Sequence, residues 1–114
     1  MVDFYRLPTP VEHGLYRIAQ EALNNALKHS RATAVTLTIL LGRSTLSLEV
    51  KDNGRGFDAH SAQQSAVGFG LSNMKERAES LGGHLMVQST PEDGTIVRVE
   101  GIPYRFVDAE EMIG

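Results

Sequence analysis

The feature of this sequence that most constrains its fold is a change of apolar spacing that occurs twice. Apolar residues recur at steps of three and four over residues 10 to 29 and again over residues 71 to 81, which predicts two amphipathic helices. Each helical stretch is followed by two runs of alternating apolar residues, and each of these pairs predicts two antiparallel strands. The runs are "TAVTLTILL", "TLSLEVKD", "HLMVQS" and "TIVRVEGI". This order predicts an α+β fold, a two-layer α/β sandwich with helices on one face of a mostly antiparallel mixed sheet.

Glycines lie at both ends of the second predicted helix. Gly82 and Gly83 follow its last apolar position, and such a pair is typical of a helix C-terminus. Residues 53 to 70 are rich in glycine and lack periodicity, so we predict a long loop there. Gly68 and Gly70 then lead into the helix N-terminus, where free backbone N–H groups attract phosphate.

Composition narrows the class of protein. The 114 residues suffice for one domain, and 41% apolar with 22% charged residues is ordinary for a globular protein. A net charge of −3 argues against a nucleic-acid partner, which normally meets a basic surface. No apolar run is long enough to span a membrane, so we expect no membrane contact by this segment. The absence of cysteine fits a reducing compartment.

One carboxylate stands in an unusual position. Asp52 has the strand parity of the apolar Leu48 and Val50, so it is predicted to point into the core. Thr95 begins the last strand with inward parity as well. Because a buried carboxylate is costly unless something pairs with it, the two side chains together suggest a ligand that donates and accepts hydrogen bonds, as adenine does. Taken alone, "DNG" would also fit a hairpin turn, and Thr95 an ordinary strand start.

The first helix carries a second polar group. Glu21, Asn25 and Lys28 lie at i, i+4 and i+7, on a stripe beside the apolar face. Asn25 offers a neutral oxygen suited to Mg²⁺, Glu21 could orient or deprotonate a nucleophile, and Lys28 could reach a phosphate. A solvated helix flank is the alternative. Zinc and thiol sites are not expected, because the four histidines lack ligand spacing and cysteine is absent.

Four motifs in one order carry a resemblance. "LYRIAQEALNNALKHS", "DNGRGFD", "GFGLSNMKERAESLGG" and "GTIVRV" resemble the conserved boxes of the GHKL ATP-binding superfamily. The match is best with the catalytic, ATP-binding domain of sensor histidine kinases of the nitrate-sensor type, and it covers roughly residues 7 to 103. It implies the Bergerat fold, which is an α/β sandwich.

The resemblance also implies roles for individual residues. Asp52 is expected to accept the adenine amine, Thr95 to support adenine, Asn25 to ligate Mg²⁺ and Glu21 to act in catalysis. It also implies a short ATP lid over residues 59 to 70. The further nucleotide contacts that it implies are Lys28, His29, Gly54, Gly56, Val67, Gly68, Phe69, Gly70 and Leu71.

The activity implied is transfer of the γ-phosphoryl group of Mg-ATP to a histidine on a separate dimerisation domain, with a response regulator downstream. The sequence lacks that histidine in a suitable context, since His13 precedes a glycine. We therefore expect residues 1 to 114 to be a single excised domain without the dimerisation domain, in the cytoplasm of a parent that could be membrane-anchored. Residues 104 to 114 give no signal. A stand-alone Ser/Thr kinase of the anti-sigma-factor type, a superfamily ATPase and a non-catalytic nucleotide sensor remain alternatives.

Overall fold

The computed structural model describes residues 5–28, 30–56, 66–105 and 107–108. The predicted order of two helices and four strands is confirmed, and one short strand is added at each end. The elements are β1 (Tyr5–Arg6), α1 (Thr9–Lys28), β2 (Val35–Leu41), β3 (Thr45–Asp52), α2 (Ala66–Ser80), β4 (His84–Ser89), β5 (Thr95–Pro103) and β6 (Val107–Asp108). No helix in these ranges is long and apolar enough to cross a membrane.

Four of the strands form the main sheet in the order β2-β3-β5-β4, and every pairing described is antiparallel. The strands β1 and β6 form a separate antiparallel pair. In the main sheet Asp52 lies directly opposite Thr95, the register on which the site depends. The predicted α+β sandwich is therefore confirmed.

The core lies between one face of this sheet and the two helices. The helices contribute residues at steps of three and four, and β3 and β5 contribute every second residue up to the irregularity in their pairing between Leu46 and Leu48, beyond which Ile102 follows Val99 by three. The buried apolar side chains are Leu15, Ile18, Ala22, Ala26, Leu46, Leu48, Val50, Met74, Ala78, Val97, Val99 and Ile102.

The opposite face of the sheet carries charged side chains beside the exposed apolar Leu40 and Met86. There Nε of Arg98 donates to Glu49 at 3.0 Å, and its NH1 donates to Glu100 at 3.3 Å. Hydrogen bonding to Glu49, followed by that to Glu100, raises the pKa of Arg98 above its ordinary value. The two helices pack on the other face.

The start of α2 differs from the sequence prediction. The loop was expected to run through residue 70, but α2 begins at Ala66 and includes Gly68 and Gly70. Gly70 is buried against α1, and a Cβ atom there would collide with the carboxylate of Glu21. The clashing atom is the end of a flexible side chain, so a larger residue at position 70 would displace the Glu21 carboxylate from this contact.

The end of α2 agrees with the prediction. Gly82 has φ of 89°, its N–H donates to the Glu79 carbonyl at 3.0 Å, and the Gly83 N–H donates to the Ala78 carbonyl at 3.0 Å. These bonds satisfy carbonyl groups that have no partner within the helix. The glycine pair therefore ends the helix as expected.

Candidate functional site

A cleft opens between the second half of α1 and the adjoining ends of β3 and β5. About 440 Å³ of space lies within and in front of it, open solvent included. Its walls are largely apolar, with a few polar groups, as is typical of small-molecule sites. The residues that line it are Ala22, Asn25, Ser30, Val50, Asp52, Arg55, Gly56, Leu71, Thr95 and Val97.

Asp52 points into this cleft, as its strand parity predicted. Its side chain is only 8% exposed, and one carboxylate oxygen accepts a 2.9 Å hydrogen bond from the Gly54 N–H. Within the described residues, no cationic side chain forms an ion pair with it. A carboxylate has about four acceptor positions, so acceptor capacity remains on the cleft side.

The hairpin alternative for "DNG" is wrong. The strand β3 pairs with β2 on one side and β5 on the other, and the chain after Asn53 does not return as a strand beside β3. Asn53 instead fastens the loop to the segment after α1. Its Oδ1 accepts the N–H groups of Thr33 and Ala34 at 3.0 and 2.9 Å, and its Nδ2 donates to the Thr33 hydroxyl at 2.9 Å.

Ser30 makes a second connection between α1 and the same loop. Its hydroxyl donates to the Asn25 carbonyl at 3.0 Å, and its own carbonyl accepts the Arg55 N–H at 2.7 Å. The end of α1 therefore sets the position of the loop that follows Asp52.

Thr95 is 7% exposed and faces the cleft, as predicted. Its hydroxyl shares a 2.7 Å hydrogen bond with the hydroxyl of Ser89 on β4. Gly94 precedes it with φ of 79°, and a Cβ atom at Gly94 would collide with the Asp52 carbonyl. Glycine at position 94 is thus required for β5 to begin opposite Asp52.

The two glycines of the loop after β3 also approach protein backbone. A Cβ atom at Gly54 would collide with the Ser30 carbonyl, and one at Gly56 would collide with the Thr90 carbonyl. Both positions therefore have a structural need for glycine that involves no ligand. Gly56 also lines the cleft, whereas contact of Gly54 with a nucleotide stays a prediction.

The polar stripe of α1 is divided between two surfaces. Asn25 lines the cleft, half-buried. Glu21 lines a neighbouring groove between α1 and α2, and Arg17, Gln20, Asn24, Asn73, Met74 and Arg77 line that groove with it. Lys28 is exposed at the end of α1 and is not among the cleft residues. The structure therefore brings Asn25 to Asp52 and Thr95 but separates Glu21 from them.

The remaining predicted contacts are His29, which directly follows α1 in the sequence, and residues around the start of α2. His29 and residues 57 to 65 lie outside the described residues. Val67, Gly68 and Phe69 belong to the first turns of α2, so the two glycines of "GFG" do not precede the helix as expected. Leu71 lines the cleft, as predicted.

Sequence reasoning missed several cleft residues. Ser30 directly follows the amphipathic pattern of α1, and Arg55 lies between the two loop glycines, so both were next to motifs already singled out. Ala22, Val50 and Val97 were recognised only as core positions. Their second role depends on the cleft opening beside them.

Comparison with known proteins gives a consistent result. Residues 11–105 match the family model described as histidine kinase-, DNA gyrase B-, and HSP90-like ATPase. The chain is 35% identical over 99 residues to the sensor protein VraS of Staphylococcus saprophyticus, which covers 87% of this chain and 28% of VraS. It is 40% identical over 92 residues to the signal transduction histidine-protein kinase/phosphatase DegS of Brevibacillus brevis, which covers 81% and 23%. The chain thus spans about a quarter of the length of these relatives.

A histidine kinase domain of known structure has a similar fold. The histidine kinase domain of the blue-light activated histidine kinase from Erythrobacter litoralis superimposes with a TM-score of 0.68 at 24% identity, over 83% of this chain and 46% of that one. At this identity the likeness supports the fold alone.

Proposed function

The chain belongs to the family of histidine kinase-, DNA gyrase B- and HSP90-like ATPases, and we propose that it is the Mg-ATP-binding catalytic domain of a two-component sensor histidine kinase. The observation that carries the proposal is the buried Asp52, which has no cationic partner among the described residues and faces a cleft beside Thr95. Relatives named as a sensor protein and as a histidine-protein kinase/phosphatase support the kinase branch. We assign the chain within it to the nitrate-sensor type.

The base of the nucleotide would occupy the inner part of the cleft. The free acceptor positions of Asp52 suit an exocyclic amine, and the Thr95 hydroxyl can donate or accept, directly or through water. Apolar side chains from α1, β3 and β5 form walls against which a flat ring can pack, namely Ala22, Val50 and Val97. This chemistry favours adenine.

The phosphates would lie toward Asn25 and the start of α2. Asn25 supplies a neutral oxygen in the same cleft as Asp52, a ligand that Mg²⁺ accepts. Mg²⁺ keeps several waters and is bound with the phosphates of its nucleotide, so a single protein oxygen suffices. The first turns of α2, with Gly68 and Gly70, and the cation Lys28 are assigned to the phosphates, and His29 to the adenine or ribose.

Glu21 is assigned to the acceptor side of the reaction. It lies in the groove between α1 and α2, one helical turn before Asn25, where it could orient or deprotonate an incoming nucleophile. We propose that the nucleophile is a histidine on a dimerisation domain of a longer, cytoplasmically exposed protein, which passes the phosphoryl group to a response regulator.

Nucleotide titrations test the binding half of this proposal. The chain is expected to bind ATP more tightly with Mg²⁺ than without it. Asn25→Ala should remove most of that Mg²⁺ dependence, because it removes the protein ligand. Asn24→Ala is a matched control, since it deletes the same amide from an exposed position outside the cleft. Equal Mg²⁺ dependence in the parent and the Asn25 variant would contradict the assignment.

Phosphotransfer tests the other half. The chain is mixed with radiolabelled Mg-ATP and the dimerisation helices encoded with it. Acid-labile label on those helices supports the histidine kinase, acid-stable label on a partner indicates a Ser/Thr kinase, and binding without transfer indicates a nucleotide sensor. The chain alone should not become labelled, and phosphohistidine on it would overturn the proposal that the acceptor lies elsewhere.

A further inference from the structure

One flank of the molecule exposes five large apolar side chains of α1 and β2, which we call the α1–β2 step. Tyr16 and Leu27 of α1 are 62% and 65% exposed, and Leu37, Ile39 and Leu41 of β2 are 44%, 47% and 53% exposed. Exposed apolar patches of this kind commonly mark interaction sites.

The strand part of the step belongs to the core face of the sheet. Leu37 and Ile39 lie opposite Val50 and Leu48 of β3, and these two β3 side chains are buried beneath the helices. The edge strand β2 shares that face, but its side chains stay half exposed. The helix layer therefore ends over β3 and leaves a place open above β2.

The helix part borders the same open place. Tyr16 and Leu27 are eleven residues apart, close to three full turns, so they share one stripe of α1. The other flank of α1 contacts α2, where Glu21 meets Gly70. Because α2 packs on β4 at the far end of the sheet, the stripe of Tyr16 and Leu27 faces away from α2, toward β2.

Nothing in β2 protects this edge. The strand reads "VTLTILL" and contains no charged residue and no proline, the residues by which edge strands usually avoid association. The β2 strand of a second copy is uncharged as well, so charges within the two strands would not repel each other.

We propose that the α1–β2 step is covered by a second copy of this chain in a two-fold dimer, in which α1 of each copy lies over β2 of the other. A helix is about 10 Å wide and the strands are about 4.8 Å apart, so one further helix fits above β2. The exposed stripe of α1 supplies that helix face. A raised helix beside an open strand is self-complementary under a two-fold rotation, which an isologous interface requires.

The exposed area suits a reversible dimer. With roughly half of each large side chain accessible and about 200 Å² per side chain, the five residues offer on the order of 500 Å² per copy. This is below the about 800 Å² per partner of a standard stable interface, so we expect a weak, reversible association. The step lies on the side of α1 away from Glu21, so this proposal does not depend on the nucleotide site.

Pairing of two β2 edges side by side does not explain the step. Strand side chains stand perpendicular to the sheet, so edge pairing would use the backbone and leave Leu37, Ile39 and Leu41 in solvent. The two modes make opposite predictions for cross-linking.

Sedimentation equilibrium of the chain between about 1 and 200 µM tests the dimer. The mass should rise from 12.5 kDa toward twice that value. Ile39→Lys and Leu27→Lys should each lower the association constant at least tenfold. Leu40→Lys is the matched control, because Leu40 is 63% exposed on the opposite face of the same strand, and it should change the constant less than twofold. Circular dichroism checks that each variant is folded.

Cross-linking tests the arrangement. The chain has no cysteine, so Leu27→Cys and Ile39→Cys can be made separately, mixed and equilibrated in a glutathione redox buffer. Disulfide-linked heterodimers should predominate over both homodimers. A chain that stays monomeric, a dimer equally sensitive to Leu40→Lys, or predominance of the Ile39→Cys homodimer would each overturn the proposal.

Discussion

Replacing Asp52 by asparagine separates the structural from the functional role of the buried carboxylate. Asparagine is nearly isosteric, and its Oδ1 can still accept the hydrogen bond from the Gly54 N–H. What it loses is the charge and the acceptor on the cleft side, where an NH₂ donor now faces the donor of an adenine amine. Folding and nucleotide binding should therefore respond differently.

The two magnitudes can be worked out separately. A hydrogen bond to a charged acceptor contributes about 1.5–3 kcal/mol, which corresponds to roughly 10- to 150-fold weaker ATP binding. The free energy of unfolding should stay within about 0.5 kcal/mol of the parent or rise, because Asp52 is 8% exposed and forms no ion pair with the described cations. A loss of affinity without a loss of stability is the expected signature.

The assay is calorimetric titration with ATP, with thermal unfolding followed on the same samples. Glu79→Gln, which removes one negative charge from an exposed position of α2, should bind ATP like the parent. Binding of ATP by the Asp52→Asn variant within twofold of the parent would refute adenine recognition by this carboxylate. A large fall in stability would show that the carboxylate serves the fold instead.

Two other predictions concern the loop that follows Asp52. Asn53→Ala removes three side-chain hydrogen bonds and should lower the free energy of unfolding by about 2–3 kcal/mol, measured by urea denaturation; Asn53→Asp, which keeps the acceptor oxygen, should lose less, and equal losses would argue against the backbone contacts. Gly56→Ala would place a Cβ atom against the Thr90 carbonyl, so the melting temperature should fall by about 5–10 °C for a cost near 2 kcal/mol. An unchanged melting temperature would mean that this backbone contact is not tight in solution.

Much of the fold follows from local sequence patterns. The alternation of Leu46, Leu48 and Val50 predicts both the strand and the inward direction of Asp52, and the structure confirms each. The helical spacing of Ile18 likewise predicts its place in the core. These inferences succeed because side-chain direction within one element depends only on the backbone period.

The site was less accessible to this reasoning. Glu21 and Asn25 share a helical stripe, yet the packing of α2 through Gly70 places them on different surfaces. The helix α2 also starts at Ala66, against the local preference of its glycines. Ser30 lines the cleft only because its carbonyl accepts a hydrogen bond from the loop after β3.

The sequence by itself therefore determined the order of the elements, the face on which each side chain lies and the inward carboxylate at position 52. The tertiary structure decided which of these faces meet. It divided the polar stripe of α1 between two surfaces, brought the loop glycines Gly54 and Gly56 against protein backbone, and left the apolar face of β2 uncovered. The physical reason is that period and parity are set by neighbours in the chain, whereas packing between layers depends on residues far apart in sequence.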